Sequence, residues 1–220
     1  MAIGKTIELS EQDRARISEA VCAAERRTNA EIVPMLVARS GLYRDAQHRT
    51  GLAFALVVLA GLVMVETVWL PWGWHTGNAA WLLLATVLAY GGGAWLGRFA
   101  PVIRLVTSPE RIRQKVRLRA ERAFAQHGIS QTRERTGVLL MVSLMERQVY
   151  LLPDRGIASQ IGAVRWNEVV AAVVAKLKTN DIAGGFCTGI ECCGALLAQA
   201  CPAKPGDNPD ELPDWLVQEP

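Results

Sequence analysis

The sequence predicts an α/β fold, a small mixed sheet with helices on both faces that is interrupted by a two-helix transmembrane hairpin. Between Arg49 and Arg98 the one formally charged residue is Glu66, and two long apolar runs fill that segment. Runs rich in Val, Ile and Leu lie on both sides of it, and amphipathic helical patterns alternate with these runs. Such alternation is typical of a sheet covered by helices.

The first part of the soluble domain, residues 1–49, supplies one helix and one strand. Ser10 and Asp13 predict a helix start, and an apolar stripe follows at Ile17, Ala20, Val21 and Ala24. Residues 32–38 predict a strand in which Pro34 favours an edge position or a bulge. A lone strand is not stable, so it must pair with strands that follow the hairpin. The hairpin, residues 50–98, is therefore predicted to be an insertion within one domain.

The two apolar runs of the hairpin, residues 51–70 and 79–97, are each long enough to cross a bilayer core of about 30 Å. Residues 71–78 between them contain Pro, Gly and Asn, which predict a turn. Two buried core helices are the alternative, but the rest of the chain is small for covering them. Gly93 and Gly97 have the spacing for close packing against the first span or, alternatively, for a homo-oligomer.

Basic residues flank the hairpin, whereas its connecting loop contains no Lys or Arg. Arg39, Arg44 and Arg49 precede the first span, and a longer basic run starts at Arg98. Because basic residues remain on the cytoplasmic side, we expect a multi-pass protein of a bacterial-type inner (plasma) membrane with both termini in the cytoplasm. Tryptophans near the loop fit the outer interface of the bilayer: Trp69, Trp72, Trp74 and Trp81.

The second part of the soluble domain, residues 99–201, supplies the remaining elements. Ser108-Pro109-Glu110 predicts the start of a helix that ends at His127-Gly128. The elements predicted after it are an antiparallel strand pair and then two amphipathic helices, over residues 138–144, 149–152, 166–177 and 182–197.

The net charge of +3 and the isoelectric point of about 8.7 are mild. Basic residues concentrate beside the hairpin, and an acidic, proline-rich tail, residues 202–220, is expected to be extended or disordered. The basic run has no interleaved aromatic residues, so the predicted partners are the lipid bilayer and unidentified membrane proteins rather than nucleic acid. The tail and the basic run are candidate docking elements for those proteins.

Five cysteines, an odd number on the predicted cytoplasmic side, argue against a disulfide framework. Cys187, Cys192 and Cys193 do not share one helix face, and no C-x-x-C pair or nearby His accompanies them. They are expected to be small core residues rather than metal ligands.

The sequence contains no recognisable catalytic constellation, since its three His residues are scattered and no phosphate-binding glycine loop is present. The best candidates for ligand binding are Asp154 and Arg155, which follow the second strand of the antiparallel pair. Asp154 with help from Asp181 or Glu31 could hold a divalent cation such as calcium or magnesium, and Arg155 could hold a phosphate. The favoured alternative is an ordinary turn with an Asp cap and a surface Arg, in which case no cofactor is needed.

An ordered set of segments resembles the TPM-domain family: residues 28–33, 136–143, 149–157, 166–177 and 181–202. The resemblance implies a compact α/β/α domain that is usually tethered to a membrane. Members of that family are linked to the maintenance of membrane protein complexes, and a few of them to acid phosphatase activity or ion binding.

The favoured function is a membrane-anchored cytoplasmic interaction domain that supports membrane protein complexes without catalysis. The alternative is a divalent-metal-assisted phosphatase centred on Asp154. A channel or transporter is less favoured, because two spans with one peripheral acid offer no pathway.

Overall fold

The computed structural model describes residues 9–69, 76–203 and 211–219, with the backbone alone at 66–69 and 76–78. These residues group into two compact units, residues 42–112 and residues 9–41 with 113–219. The helices are α1 (Glu11–Glu25), α2 (Arg44–Trp69), α3 (Thr76–Leu96), α4 (Ala100–Val106), α5 (Pro109–Gln126), α6 (Arg155–Ala158), α7 (Ala163–Leu177) and α8 (Ile182–Ala200). The strands are β1 (Ile32–Val37), β2 (Val138–Ser143), β3 (Gln148–Pro153) and β4 (Val217–Glu219), and a 3-10 turn spans Ile129–Gln131.

The sheet of the second unit has the strand order β3-β2-β1-β4. β1 pairs in parallel with β2 on one side and with β4 on the other. β2 and β3 form the antiparallel pair that their short connection predicts. The sheet is therefore mixed, and strands from both sides of the hairpin segment pair within it.

Helices cover both faces of this sheet, which confirms the predicted fold class. One face packs against α1, α7 and α8, with Ile17, Val173, Phe186 and Ile190 at its centre. The other face packs against α5 through Val116, Ala120 and Ala123. Successive side chains of a strand point to opposite faces, so β1 and β2 contribute to both cores.

The predicted edge position of Pro34 is wrong, because β1 lies between β2 and β4. The Val37 carbonyl oxygen accepts a hydrogen bond from Leu144 on the β2 side, whereas Ala38 N–H donates to Glu219 on the β4 side. Backbone groups alternate along a strand, so Pro34 faces the same side as Ala38. β4 pairs with the last three residues of β1 alone, and the missing N–H of Pro34 falls outside that pairing. A proline is thus accommodated in an interior strand.

The tail is expected to be extended or disordered, and its residues 217–219 adopt the extended state as strand β4 of the sheet. β4 extends the sheet, and Leu216 is buried in the core beside α1. Gln218 accepts a hydrogen bond from Arg14 at 2.9 Å. Glu219 forms an ion pair with Arg119 and lies 3.1 Å from His127 Nε2. The described part of the tail is therefore part of the domain; residues 204–210 lie outside the description.

The first unit is built on α2 and α3, which pack along each other. The spacing of Gly93 and Gly97 is used inside the hairpin: a Cβ at Gly93 would lie 2.8 Å from the Thr50 carbonyl oxygen. Near the same end, His48 Nδ1 lies 2.7 Å from the Tyr90 hydroxyl. The predicted turn at 71–78, with Trp72 and Trp74, falls largely outside the described residues, as does the side chain of Trp69.

Within the described ranges, three helices are long and apolar enough to cross a membrane by length and composition: α2, α3 and α8. In the apolar windows of α2 and α3 the buried share is 11%, whereas in α8 it is 50%. Phe186, Ile190 and Leu197 of α8 are fully buried in the core of the second unit. α8 is therefore a core helix, and the exposed apolar helices are the two that the sequence predicts as spans.

Candidate functional site

Two of the candidate residues, Asp154 and Glu31, lie at the same edge of the sheet. The first residue of β1 is opposite the first residue of β2, which is opposite the last residue of β3. Glu31 comes just before that row and Asp154 just after it, with Gly137 between them. The amino ends of β1 and β2 define this amino edge. Two strand spacings separate the backbones of Asp154 and Glu31, which is about 9.6 Å.

Asp154 caps the short helix α6. Its Oδ1 accepts a hydrogen bond from the Arg155 N–H at 2.6 Å, and its own N–H donates to the Gly137 carbonyl oxygen at 2.8 Å. The side chain is only 6% exposed. Among the described residues its Oδ2 atom has no hydrogen-bond partner. Asp154 thus has the geometry of a helix cap, with one buried carboxylate oxygen left over.

The turn after Asp154 is closed by neighbouring main chain. A Cβ at Gly156 would lie 2.5 Å from the Arg135 carbonyl oxygen and 2.9 Å from that of Glu134. Contacts below 3.0 Å are not tolerated by a real Cβ, so glycine is required where these two segments meet. The Asp-Arg-Gly sequence is therefore explained in part by packing.

The other two candidate residues do not join Asp154 and Glu31 in one buried group. Asp181 caps α8, accepting a hydrogen bond from Gly184 N–H at 2.8 Å. α8 ends at the amino edge, where the Cys201 carbonyl oxygen accepts from Asn29 N–H at 3.0 Å. Nineteen residues of α-helix span about 28 Å, so Asp181 lies at the far end. The Arg155 side chain is exposed at the surface.

The direction of β3 places the predicted ligand-binding residue Asp154 at the amino edge of the sheet. Ligands in open α/β sheets bind beyond the carboxyl ends of parallel strands. Asp154 follows β3, but β3 runs antiparallel to β2, so its end lies at the amino ends of the parallel pair. The carboxyl ends of β1 and β2 lie at the opposite edge, next to the segments that begin at Ala38 and Leu144.

A buried polar network that the sequence analysis missed occupies this carboxyl edge; we call Ser40, Ser143 and Glu146 the serine–glutamate network. Glu146 accepts a hydrogen bond from Ser40 N–H at 2.9 Å and another from the Ser143 hydroxyl. The Ser40 hydroxyl lies 2.7 Å from that of Ser143 and donates to it, because the Ser143 proton is already used. All three residues are buried. Their polar atoms hold the end of β1 to the turn between β2 and β3.

Three acidic side chains lie at the amino edge: Glu25, Glu31 and Asp214, which we call the acid cluster. The sequence analysis named only Glu31 of these three. Glu25 Oε1 accepts a hydrogen bond from the Ile32 N–H at 2.8 Å. Burial, together with the charges of Glu31 and Asp214, raises the pKa of Glu25 to about 9, although the hydrogen bond from Ile32 opposes the rise. Glu25 is therefore protonated at neutral pH and donates to Asp214.

Cys22 extends the acid cluster by one thiol. Its Sγ donates a hydrogen bond to Asp214 Oδ2 at 2.9 Å. That hydrogen bond, and then burial, raises the pKa of the Cys22 thiol. None of the five cysteines, all of which lie in the described part of the chain, forms a disulfide, and burial raises the pKa of the fully buried Cys193 thiol in particular. The acid cluster thus favours the protonated forms of Glu25 and of the neighbouring Cys22. A protonated thiol is a poor nucleophile.

One signal in the sequence does point to Glu25. It lies four residues after Val21, on the apolar stripe that includes Ile17, and a carboxylate on such a stripe is placed in a core. Nothing comparable indicates Asp214, because the tail reaches α1 only through its pairing with β1.

The chemistry open to these groups is limited by their separation. Within the described residues no group of three or more His, Cys, Asp or Glu side chains has the arrangement of a metal site. The predicted cation site needs Asp154 with help from either Asp181 or Glu31; Asp181 lies at the far end of α8, whereas Asp154 and Glu31 lie on either side of Gly137.

The comparisons with known proteins agree with this fold. Residues 101–196 match the family model described as TPM domain. The fold is similar to the solution structure of the BA42 protein from the psychrophilic bacterium Bizionia argentinensis, with a TM-score of 0.61 and 19% identity. That similarity covers 99% of this chain and 100% of the other. No curated protein matches the chain.

The family match begins in α4 and ends in α8, so it includes α5, the β2–β3 pair and α7. α1, β1 and β4 lie outside it, yet β1 and β4 complete the same sheet and α1 packs against it. The match to the TPM domain therefore covers residues 101–196, and the similarity to the BA42 protein extends to the fold of the whole chain.

Proposed function

We propose that this protein is a membrane-anchored TPM domain, facing the cytoplasm, that supports the assembly or maintenance of membrane protein complexes without chemistry of its own. The single observation that carries the anchor is the exposure of α2 and α3. Their apolar windows are 11% buried, although both consist of side chains that are normally inside a protein or a bilayer.

The exposed side chains on these helices are large and apolar rather than scattered alanines. They include Leu52, Phe54, Leu56, Val57, Leu83, Leu84, Val87 and Leu88. A monomeric soluble protein rarely exposes a continuous apolar surface larger than a few hundred Å². A hydrocarbon environment for this surface is therefore the physically consistent one.

The orientation follows from charge. Arg44 and Arg49 lie at the start of α2, and Arg98 follows α3, whereas residues 50–97 contain no Lys or Arg. Positive charges are retained on the cytoplasmic side, which supports cytoplasmic placement of the sheet-containing unit.

The interaction role is supported by how the candidate polar groups are used. Asp154 and Asp181 cap helices, and the serine–glutamate network is hydrogen-bonded internally. These residues stabilise the domain, and a stable domain held at a membrane is suited to binding other membrane proteins.

The anchor is tested by flotation of the full chain with vesicles after alkaline carbonate extraction, and its topology by a reporter placed at residue 75. We expect the chain to float and the reporter to lie outside the cytoplasm. Recovery in the carbonate supernatant, or a cytoplasmic reporter, contradicts the anchor.

The role in complexes is tested by native gels of membranes from cells that lack the protein. We expect one or more membrane complexes to be lost, and wild type to restore them. The control is Phe186→Asp, which disrupts the core at a fully buried residue of α8 but leaves the hairpin intact. Unchanged complexes in the absence of the protein contradict the proposal.

A second candidate function, metal-assisted hydrolysis, is favoured by one observation, the buried Oδ2 of Asp154 without a hydrogen-bond partner among the described residues. The test is turnover of phosphomonoesters with calcium or magnesium. Asp154→Ser removes the carboxylate but keeps a good helix cap, so it separates chemistry from folding. Metal-dependent turnover in wild type and its loss in Asp154→Ser would favour the hydrolase.

A further inference from the structure

The outward side of α5 carries an exposed leucine among basic residues. Val116 and Ala120 face the core, whereas Leu118 is 54% exposed. Residues three and four apart lie on the same side of a helix, so Lys115 and Arg122 flank Leu118. α5 therefore presents an apolar side chain inside a cationic surface, which we call the Leu118 surface (Lys115, Leu118, Arg122 and Ala125).

Basic side chains outnumber acidic ones in α5. It contains six basic and two acidic side chains. One of those acids, Glu121, pairs with Arg117 at 2.7 Å, but both side chains are exposed, and such a pair contributes little in water. α5 is therefore net positive, although Arg111 and Arg119 also pair with Asp45 and Glu219 from other segments.

The preceding helix repeats the combination of arginine and exposed leucine. Leu105 of α4 is 86% exposed and follows Arg104. Between the end of α3 and the start of α5 there are only residues 97–108. Both leucines therefore belong to a short stretch of chain that continues directly from the second apolar helix.

We propose that α5 docks on the surface of the bilayer through the Leu118 surface, with its cations on anionic phospholipid headgroups and Leu118 in the interfacial region. Charge complementarity and continuity with the hairpin select lipid as the occupant. An apolar side chain among Lys and Arg is the pattern of helices that lie in the membrane interface, where long basic side chains reach the headgroups. This inference rests on the proposed anchor, because the hairpin keeps α5 near the bilayer.

The test uses the full chain reconstituted in vesicles of phosphatidylcholine alone or with about 30% phosphatidylglycerol, an anionic lipid. A cysteine introduced at Ala125, on the same side of α5 as Leu118, is labelled with a membrane-impermeant maleimide, and mass spectrometry resolves it from the native cysteines. We expect labelling to be several-fold slower in the anionic vesicles, and high salt to restore the rate. The matched control is a cysteine at Ala195, an exposed alanine of α8, whose rate is expected not to depend on lipid charge.

Two variants of α5, each with a control variant elsewhere, test which residues cause the slower labelling. Lys115→Gln with Arg122→Gln is expected to weaken docking about thirtyfold, whereas Arg133→Gln with Arg135→Gln, two exposed arginines outside α5, leaves it unchanged. Leu118→Asp also abolishes the slowing, while Val164→Asp, at a 72% exposed residue of α7, does not.

The outcomes separate this inference from the proposed anchor. Carbonate-resistant flotation with equal labelling at residue 125 in both vesicle types overturns the lipid docking and leaves the anchor intact. Slowing that appears only after a protein extract is added assigns the Leu118 surface to an acidic protein partner and also overturns it. Failure to float contradicts the anchor itself.

Discussion

The two edges of the sheet use buried acidic side chains in opposite ways. At the carboxyl edge, Glu146 accepts hydrogen bonds from Ser40 N–H and the Ser143 hydroxyl. At the amino edge, Glu25 accepts one from Ile32 N–H but faces two further acids, Glu31 and Asp214. One carboxylate is surrounded by donors and the other by like charges.

The difference teaches that burial alone does not decide whether an acid stabilises a fold. A buried carboxylate that accepts enough hydrogen bonds costs little free energy to bury, and removing it leaves the donors of those bonds unsatisfied. A buried carboxylate among other acids is protonated instead, and the fold then depends on pH.

The largest effect is expected from pH at the acid cluster. The pKa of Glu25 is about 9 in the folded state, against 4.5 for the unperturbed group. Between these values the folded state holds a proton that the unfolded state has lost, so the free energy of unfolding falls as pH rises. The loss between pH 5 and pH 8 is on the order of 4 kcal/mol for this group. The thermal unfolding midpoint of the full chain in detergent, followed across that range, measures it.

Glu25→Gln isolates the group, because the amide keeps an oxygen for Ile32 N–H and cannot ionise. We expect its unfolding midpoint to match wild type near pH 5 and to exceed it at pH 8. Glu191→Gln, on the exposed side of α8, is the control and should follow the wild-type profile. A Glu25→Gln profile as steep as that of wild type would show that the acid cluster is not the source.

The next effect is expected at the carboxyl edge, where removing the acid destabilises the fold, whereas Glu25→Gln is expected to stabilise it at pH 8. Glu146→Ala leaves the Ser40 N–H and the Ser143 hydroxyl without their acceptor in a buried place. We expect a loss of about 3 kcal/mol in the free energy of unfolding. Chemical denaturation at constant pH measures it, with Glu191→Ala as the exposed control. A loss equal to that of the control would mean that the serine–glutamate network is not needed.

Much of the fold is predictable from local patterns. The capping signal at Ser10, the Pro109 helix start and the β2–β3 pair all depend on residues close in sequence, and each is observed. The strand order is not local. The interior position of Pro34 depends on β4, which comes from the far end of the chain. A propensity rule for proline in strands therefore places it at an edge, and tertiary pairing decides otherwise.

The candidate site is less predictable, for the same reason. Asp154 follows β3 and Glu31 precedes β1, but which strand ends share an edge depends on strand direction. Asp181 could not be placed from sequence, because it lies at the start of a 19-residue helix whose other end is at the amino edge. Ser40 and Ser143 belong to segments about a hundred residues apart in sequence, and only the parallel pairing of β1 and β2 joins them.

A smaller effect is expected at the cap of α6, also on the amino edge. Asp154→Ala removes the acceptor for Arg155 N–H and should lower the free energy of unfolding by about 1 kcal/mol, whereas Asp154→Ser should lower it less. Chemical denaturation of the two variants compares them directly. If both are as stable as wild type, Asp154 is not held there as a cap, and the hydrolase alternative gains weight.

The smallest effect is expected at Cys22, where the acid cluster meets the surface of α1. The hydrogen bond to Asp214 raises the pKa of the Cys22 thiol, so its thiolate fraction at pH 8.5 is below that of a free cysteine. Asp214→Asn removes the charge that holds the proton, and we expect alkylation of Cys22 by iodoacetamide to become several-fold faster. Cys192 is the internal control, because burial is the first cause of its raised pKa and Asp214 is not among the causes. Equal acceleration at both cysteines would indicate a loosened fold, whereas acceleration at Cys22 alone places the negative charge of the acid cluster beside that thiol.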